Sequence, residues 1–499
     1  MAVATPTVSV PTWPVHTFVS EPDIQFAKIA YNKTAETAPG YLFLTPGQAN
    51  TGVIMTDEGD LVWSAPYDQF EAFSFINMAK QTLNNEPVLV YNDIVSGSIT
   101  EVVAYGTVVI IDESYEVKHN VTLADPDLVT QYPGEHASVI NDHEAYITLD
   151  NTLLVVAYNA TPWDLTPVGG PKDGWLRDCL FYELDINTNE ILYRWRASDE
   201  IPPTKSHAAL GGPGGVYGNG TSKEQSWDAY HINSLQDYEG GFLVSIRNTF
   251  MAVWVDKKTA KIGWTLEGSS GGNFTLDSKN LFSWQHDVRI EKDSPAGRPV
   301  LHMFNNRNGQ PGEKNPSNGL VLDLDLEKKT AKTLKTYTDP KHPMLAWNSG
   351  SFQWVKDKTH ALIGYGSESR VHEFDASGKM IYEMVYGLPY LGYSYRVLRD
   401  SWTGKPKTQP KVKVCKQDDG KLYAYMSWNG ATDVHHWDVF AGAGNQTHSL
   451  KKAMTVKKTG FETNVTLAAD TKFVQVAAHT KANCKNAKRS SVVAVTACK

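Results

Sequence analysis

One hairpin recurs six times along this chain, and that recurrence limits the fold more than any other feature. An apolar strand runs to an Asp, a short polar turn follows, and a second apolar or aromatic strand leaves it. The copies read "GVIMTDEGDLVWSA" around Asp57, "TVVIIDESYEVKHNV" around Asp112 and "FYELDINTNEILYRW" around Asp185. They continue as "AVWVDKKTAKIGWTL" around Asp256, "LVLDLDLEKKTAKTLK" around Asp325 and "VHEFDASGKMIYEMV" around Asp375. The intervals are 55, 73, 71, 69 and 50 residues. Asp at the head of a turn offers its carboxylate to backbone N–H groups two or three positions on, so each copy predicts a tight hairpin. Helical periodicity is scarce, and six returns of one hairpin predict radial repetition. The expected fold is an all-β, six-bladed β-propeller with about four strands per blade. Two large sandwiches would not explain the regular return.

A second unit repeats out of phase with the first. It begins at a histidine, runs through a strand, turns, and closes in a strand ending on Asn. The copies are "HEAYITLDNTLLVVAYN" from His143, "HINSLQDYEGGFLVSIRN" from His231 and "HDVRIEKDSPAGRPVLHMFNN" from His286. A weaker copy starts at Asn348, with Asn in place of His. Equivalent positions in successive blades lie at equivalent radii, and innermost strands face the central channel. Three imidazoles are therefore expected to converge on one axis, with Arg247, Asn248 and Asn305 nearby. The remaining histidines, including His302, His360, His435, His436 and His479, read as surface or hydrogen-bonded structural residues.

Residues 1–404 are expected to form the propeller and 405–499 a separate β-sandwich of the immunoglobulin or fibronectin III kind. The boundary is the Pro/Lys-rich "TGKPKTQPKVKV", after which five or more short alternating strands follow. Four cysteines, Cys179, Cys415, Cys484 and Cys498, leave the pairing open. Cys484–Cys498 and Cys415–Cys484 are the candidates. Seven Asn-x-Thr sequons, at Asn32, Asn120, Asn159, Asn219, Asn273, Asn445 and Asn464, predict a secretory-pathway glycoprotein. The first residues lack a signal-peptide pattern, so a leader is expected to have been removed and an initiator Met added. A net charge of −8 excludes the basic footprint of a nucleic-acid binder, and no apolar run is long enough for a membrane helix.

Three chemistries compete for a three-histidine site: a metal centre, nucleophilic catalysis on sulfur or phosphorus, and noncovalent binding of an aromatic molecule. No carboxylate completes a metal triad unambiguously, since Glu144 and Asp287 are expected to point away, so no catalytic metal is assigned. The channel leaves room for a structural ion. Arg247 beside Asn248 suits a transferring anionic group. No nucleotide cradle occurs, and nothing supports a serine triad. The Gly-rich stretch 211–224 reads as a surface loop over the channel.

"PGYLFLTPG", "GDLVWSA", "WDAYHINSL", "VSIRNT", "SWQHDVRI" and "SWNGAT" together, from about residue 38 to 440, resemble the fungal branch of the arylsulfotransferase (ASST) family. The resemblance implies a six-bladed propeller that moves sulfate between phenols without a nucleotide donor or other cofactor, through a sulfated histidine. By motif it implies His286 as nucleophile, with His143, His231 and Arg247 holding the sulfuryl oxygens or moving the phenol proton. Asn248, Asn305, Trp284, Tyr230 and Arg307 complete the expected substrate-binding set. The chain departs from the family at "FNNRNG", where Asn305 stands in place of an acidic group. Some relatives of this kind are linked to natural-product assembly, which makes hetero-Diels–Alder coupling of a reactive aromatic intermediate the alternative. The expected partner is a small aromatic molecule, not nucleic acid or membrane.

Overall fold

A computed structural model describes residues 13–46, 51–65, 75–98, 103–132, 134, 136–277, 281–309, 312–480 and 483–497. The described secondary structure is β-strand with a few 3-10 turns. Six sheets of four or five strands follow one another along the chain. Their innermost strands are Phe75–Leu83, Asn141–Ile147, Ile232–Tyr238, His286–Ile290, Ser351–Val355 and Val397–Asp400. Each packs against the next, and the last sheet, built on Val397–Asp400, returns to the first described blade. The fold is a β-propeller.

Ring closure joins the two ends of this region. Val397–Asp400 pairs with Tyr41–Leu44, which carries Val53–Met55 and Leu61–Ser64 outward. Each of the six Asp turns connects the third and fourth strands of one sheet. Their repetition has a simple cause. Asp112, Asp185, Asp256, Asp325 and Asp375 each accept turn N–H groups on Oδ1, at 2.7–2.9 Å for the closest. Asp57 is the exception: it takes Arg399 Nη2 at 2.6 Å and Lys33 Nζ at 3.2 Å. Between blades, Gln81, Gln236 and Gln353 each clasp the next inner strand, accepting from a backbone N–H and donating to a carbonyl. These amides satisfy strand ends that the ring would otherwise bury unpaired.

The C-terminal strands, from Lys411 onward, form two sheets that share one apolar core around the fully buried Trp437. "SWNGAT" has a structural task. Asn429 exchanges two hydrogen bonds with the Ser64 backbone, and Gly430 O accepts from Tyr115 Oη at 2.9 Å. A Cβ on Gly430 would lie 2.3 Å from the Tyr115 ring, and its φ of +85° also disfavours a side chain. Cys415 is disulfide-bonded and Cys179 is a free, buried thiol. Cys498 and the side chain of Cys484 lie outside the described residues.

Trp437→Ala is expected to destabilise this sandwich by about 3–5 kcal/mol, the usual cost of emptying a large core site. Urea unfolding followed by Trp fluorescence checks it.

Candidate functional site

The inner strands carry bulges where the histidines sit. Register with the second strand slips between Asn141 and Ala145, between Ile232 and Ser234, and between His286 and Arg289. A bulge turns successive side chains out of the pleat. His231, at φ 63°, and Asp287, at φ 51°, are in the left-handed region. As a result, adjacent residues on one strand serve two levels of the channel.

On the upper level, His143, His231, His286 and Arg247 line one cavity of about 350 Å³. Its other walls include Asp142, Asp228, Tyr217, Trp347, Tyr393 and Tyr395. The His143 and His231 rings are 4.5 Å apart and perpendicular, and Tyr395 lies 5.6 Å from His143 and 6.2 Å from His286. Each imidazole has its Nδ1 committed. His143 Nδ1 faces Asn141 Oδ1, His231 Nδ1 faces Asp228 Oδ2 at 2.8 Å, and His286 Nδ1 faces Asn306 Oδ1 at 2.7 Å. Acceptors opposite Nδ1 place the proton there, leaving Nε2 as the lone-pair atom. The Nε2 of His286 accepts the Ser349 N–H at 3.2 Å.

Burial depresses the pKa of all three histidines, and Arg247 adds to it. For His231 the Asp228 carboxylate opposes part of that shift. Asp142 is pushed up to about 6 by desolvation, with its Oδ1 3.4 Å from His143 Nδ1. Arg247 stacks 4.8 Å over the Trp284 ring, donates to Asn248 Oδ1 at 2.8 Å and reaches Trp347 O at 3.4 Å. Its buried Nε has no partner, and no carboxylate among the described residues pairs with it. The nearest carboxylate, Asp228, acts on it only at a distance, and a buried guanidinium without a direct ion-pair partner is costly unless an anion visits it.

On the lower level, Glu144 and Asp287 do not point away from a partner, as the sequence suggested. Glu144 meets Arg396 at 2.9 Å and Arg289 at 2.8 Å, and Asp287 meets Arg289 at 2.9 Å and Arg396 at 3.3 Å. The bulges turn both carboxylates to the axis. Arg396 also reaches Asn77 Oδ1 and Asn233 O. At this level the protein's own charges neutralise one another. Among the described residues, the one group of three His/Cys/Asp/Glu side chains with ligand atoms within 4.8 Å lies in the C-terminal sandwich, not here.

The five residues expected to bind substrate stand behind the cavity rather than on its wall. Tyr230 points into the core and donates to Ile201 O at 2.6 Å. Asn248 holds Arg247 and donates to Asp228 O, Trp284 supports Arg247 from below, and Asn305 accepts from Ser283 N at 3.1 Å. Arg307 is tied by its backbone to Ser283 O. Asn305 ends a strand with its side chain on the far face, so the next residue, Asn306, reaches His286. Sequence reading missed Asp142, Asp228 and Asn306, and also Tyr393 and Tyr395. The acids stand one and three residues before their histidines, in "NDH" and "WDAYH", where a search for acid–histidine neighbours would have found them. Val216 and Tyr217, from the Gly-rich loop, form part of the wall.

A sequence profile of the arylsulfotransferase (ASST) family matches residues 79–387. This chain belongs to the arylsulfotransferase family. The match spans every inner strand that carries a cavity histidine, and membership makes the chain a transferase-type enzyme. No curated protein matches the chain. Similar solved structures include a Bacteroides caccae protein of unknown function, with 11% identity over 72% of this chain and 98% of that one, TM-score 0.39. A Penicillium chrysogenum α-L-arabinanase has 10% identity over 79% and 94%, TM-score 0.36. The Pseudomonas aeruginosa periplasmic gluconolactonase has 11% identity over 86% and 99%, TM-score 0.34. Likenesses this distant carry no inference about the chemistry of this chain.

Proposed function

We propose that the protein moves a sulfuryl group from an aryl sulfate to a phenol through a histidine, with no nucleotide donor. The observation that carries this reading is Arg247: a buried cation on an aromatic cavity wall, one nitrogen unpartnered, beside three neutral imidazoles. The geometry favours His231 as nucleophile over His286. The lone pair of His286 already receives the Ser349 N–H, and its Nδ1 rests on an amide. His231 has Asp228 behind it, which compensates the charge its ring acquires on attack.

In the first half-reaction His231 Nε2 attacks sulfur, the N–S bond forms and the S–O(aryl) bond breaks. Arg247 meets the sulfuryl oxygens. The departing phenolate takes a proton from the Asp142–His143 pair. In the second half the acceptor phenol returns a proton to that pair, its oxygen attacks sulfur, and the N–S bond breaks. Incubation with 4-nitrophenyl sulfate should leave one sulfuryl mass gain on His231. Folded protein without the adduct, or with the adduct on His286, overturns the assignment. Because Asp142 titrates at about 6, kcat/KM for the acceptor phenol should rise through that pH and level off above it. Asp142→Asn should flatten the limb, which a pH profile reads directly.

A second reading has its own support. Tyr217, Trp347, Tyr390, Tyr393 and Tyr395 make much of the wall aromatic, which suits orienting a reactive aromatic intermediate for pericyclic coupling. It requires no adduct, and His231→Gln would then lower the rate only partly.

We also propose a secretory-pathway location. Six sequon asparagines, Asn32, Asn120, Asn219, Asn273, Asn445 and Asn464, are exposed, whereas Asn159 is 5% exposed and accepts the Val129 N–H. Protein secreted from a eukaryotic host should lose mass on enzymatic removal of N-glycans, with Asn159 unmodified in peptide maps.

A further inference from the structure

The three-residue cluster in the C-terminal sandwich lies outside every role described so far. His436 and His479 stand directly opposite each other on the antiparallel strands Val434–Gly442 and Phe473–Thr480. Their rings stack at 4.3 Å with 11° between planes. Asp438 lies two residues along from His436 and therefore on the same face. The intervening Trp437 goes to the core on the other face. His479 Nε2 is 2.9 Å from Asp438 Oδ2, and one ligand atom from each of the three residues lies within 4.8 Å of the others.

The neighbourhood is built rather than accidental. A register shift between Val434 and His436 turns His435 so that its ring meets His436 at 4.3 Å and 82°. Its Nδ1 is buried and has no partner. Thr455 and Lys452 hold Asp438 Oδ1 at 2.6 and 2.7 Å, which leaves Oδ2 toward the histidines. His479 and Asp438 are largely buried, while Lys452 is half exposed and free to swing into solvent.

Two imidazoles and one carboxylate on adjacent strands form a donor set for zinc and its first-row neighbours, with a fourth position open. We propose that His436, His479 and Asp438 bind one divalent transition-metal ion of the zinc class, which cross-links the two strands. Binding exchanges the His479–Asp438 hydrogen bond for two metal bonds. Lys452 opposes it, because an ammonium 2.7 Å from the carboxylate competes for the same charge.

The test uses the full chain, stripped with chelator and titrated with Zn²⁺ by calorimetry, and with Co²⁺ by its visible spectrum. The expected result is one ion per chain at micromolar affinity or tighter, with visible bands of a four- or five-coordinate Co²⁺ site. Asp438→Asn and the pair His436→Gln/His479→Gln should each weaken binding at least 100-fold with unchanged circular dichroism. Lys452→Ala should tighten it several-fold, a direction that a purely structural ion-pair cluster does not predict. His231→Gln, in the propeller cavity, should bind as the wild type does. No binding below 100 µM, or stoichiometric binding that survives the folded His436→Gln/His479→Gln pair, overturns the proposal.

Discussion

His231→Gln is expected to lower aryl-sulfate turnover by about 1000-fold or more, equivalent to about 4 kcal/mol of transition-state stabilisation, and to abolish the sulfuryl adduct. Glutamine keeps much of the volume and a polar tip, so the cavity should survive and the loss should report chemistry. His286→Gln should cost about tenfold and leave the adduct in place, because that ring is anchored between Asn306 and the Ser349 N–H. Asp228→Asn is the informative third variant. It should slow adduct formation by about 100-fold, since a neutral partner does not offset the charge of the sulfated ring. Burst kinetics separate these cases: loss of burst rate marks the nucleophile, and loss of steady-state rate alone marks the acceptor half. Undiminished bursts in His231→Gln would reassign the nucleophile.

The fold was legible because its signals are local. An Asp that caps a turn acts within four residues, so five of the six copies survive as a readable pattern for a local reason, however long the loops between them, and Asp57 keeps the pattern while pairing with Arg399. The histidines were legible for a related reason: each opens an inner strand, and equal positions in equal blades meet. What the pattern hid is what the bulges do. A single extra residue sends His286 to the cavity and Asp287 to the axis, and alternation predicts neither. Asn305 and Asn306 differ in another way: they follow alternation, one residue apart and on opposite faces, and it is Asn306 that reaches His286. Tyr393, Tyr395 and Arg396 were hidden differently. They lie in the segment that leads into the closing strand, whose partner lies some 350 residues earlier, as Val397 facing Leu44 shows, and no repeat points to them. Glu144 and Asp287 were visible but expected to point away, because one of their two partners is that same distant Arg396.

Arg396→Met is expected to cost about 3–5 kcal/mol of stability. Arg396 is fully enclosed, and its guanidinium touches groups from the blades that contribute Asn77, Glu144, Asn233 and Asp287. Removing it leaves two buried carboxylates sharing Arg289 alone. The double variant Arg396→Met/Glu144→Gln should recover part of the loss, since the second change removes a charge that the first stranded. Acid titration gives an independent readout. Burial raises the Glu144 and Asp287 pKa values, but Arg289 and Arg396 outweigh it, so both are held below their ordinary values of 4.5 and 3.8. A carboxylate with a depressed folded pKa stabilises the fold above its unfolded value and loses that contribution as pH falls. His143 and His286 act in the same direction from higher pH: burial holds them below 6.5, so the unfolded chain takes up protons first. Wild-type stability should therefore decline below pH 6.5 and again below about 4.5. In Arg396→Met the second decline should shrink while the first persists. Equal stability of Arg396→Met and wild type at pH 7, measured by thermal unfolding, would show that the ring does not depend on its axial charges.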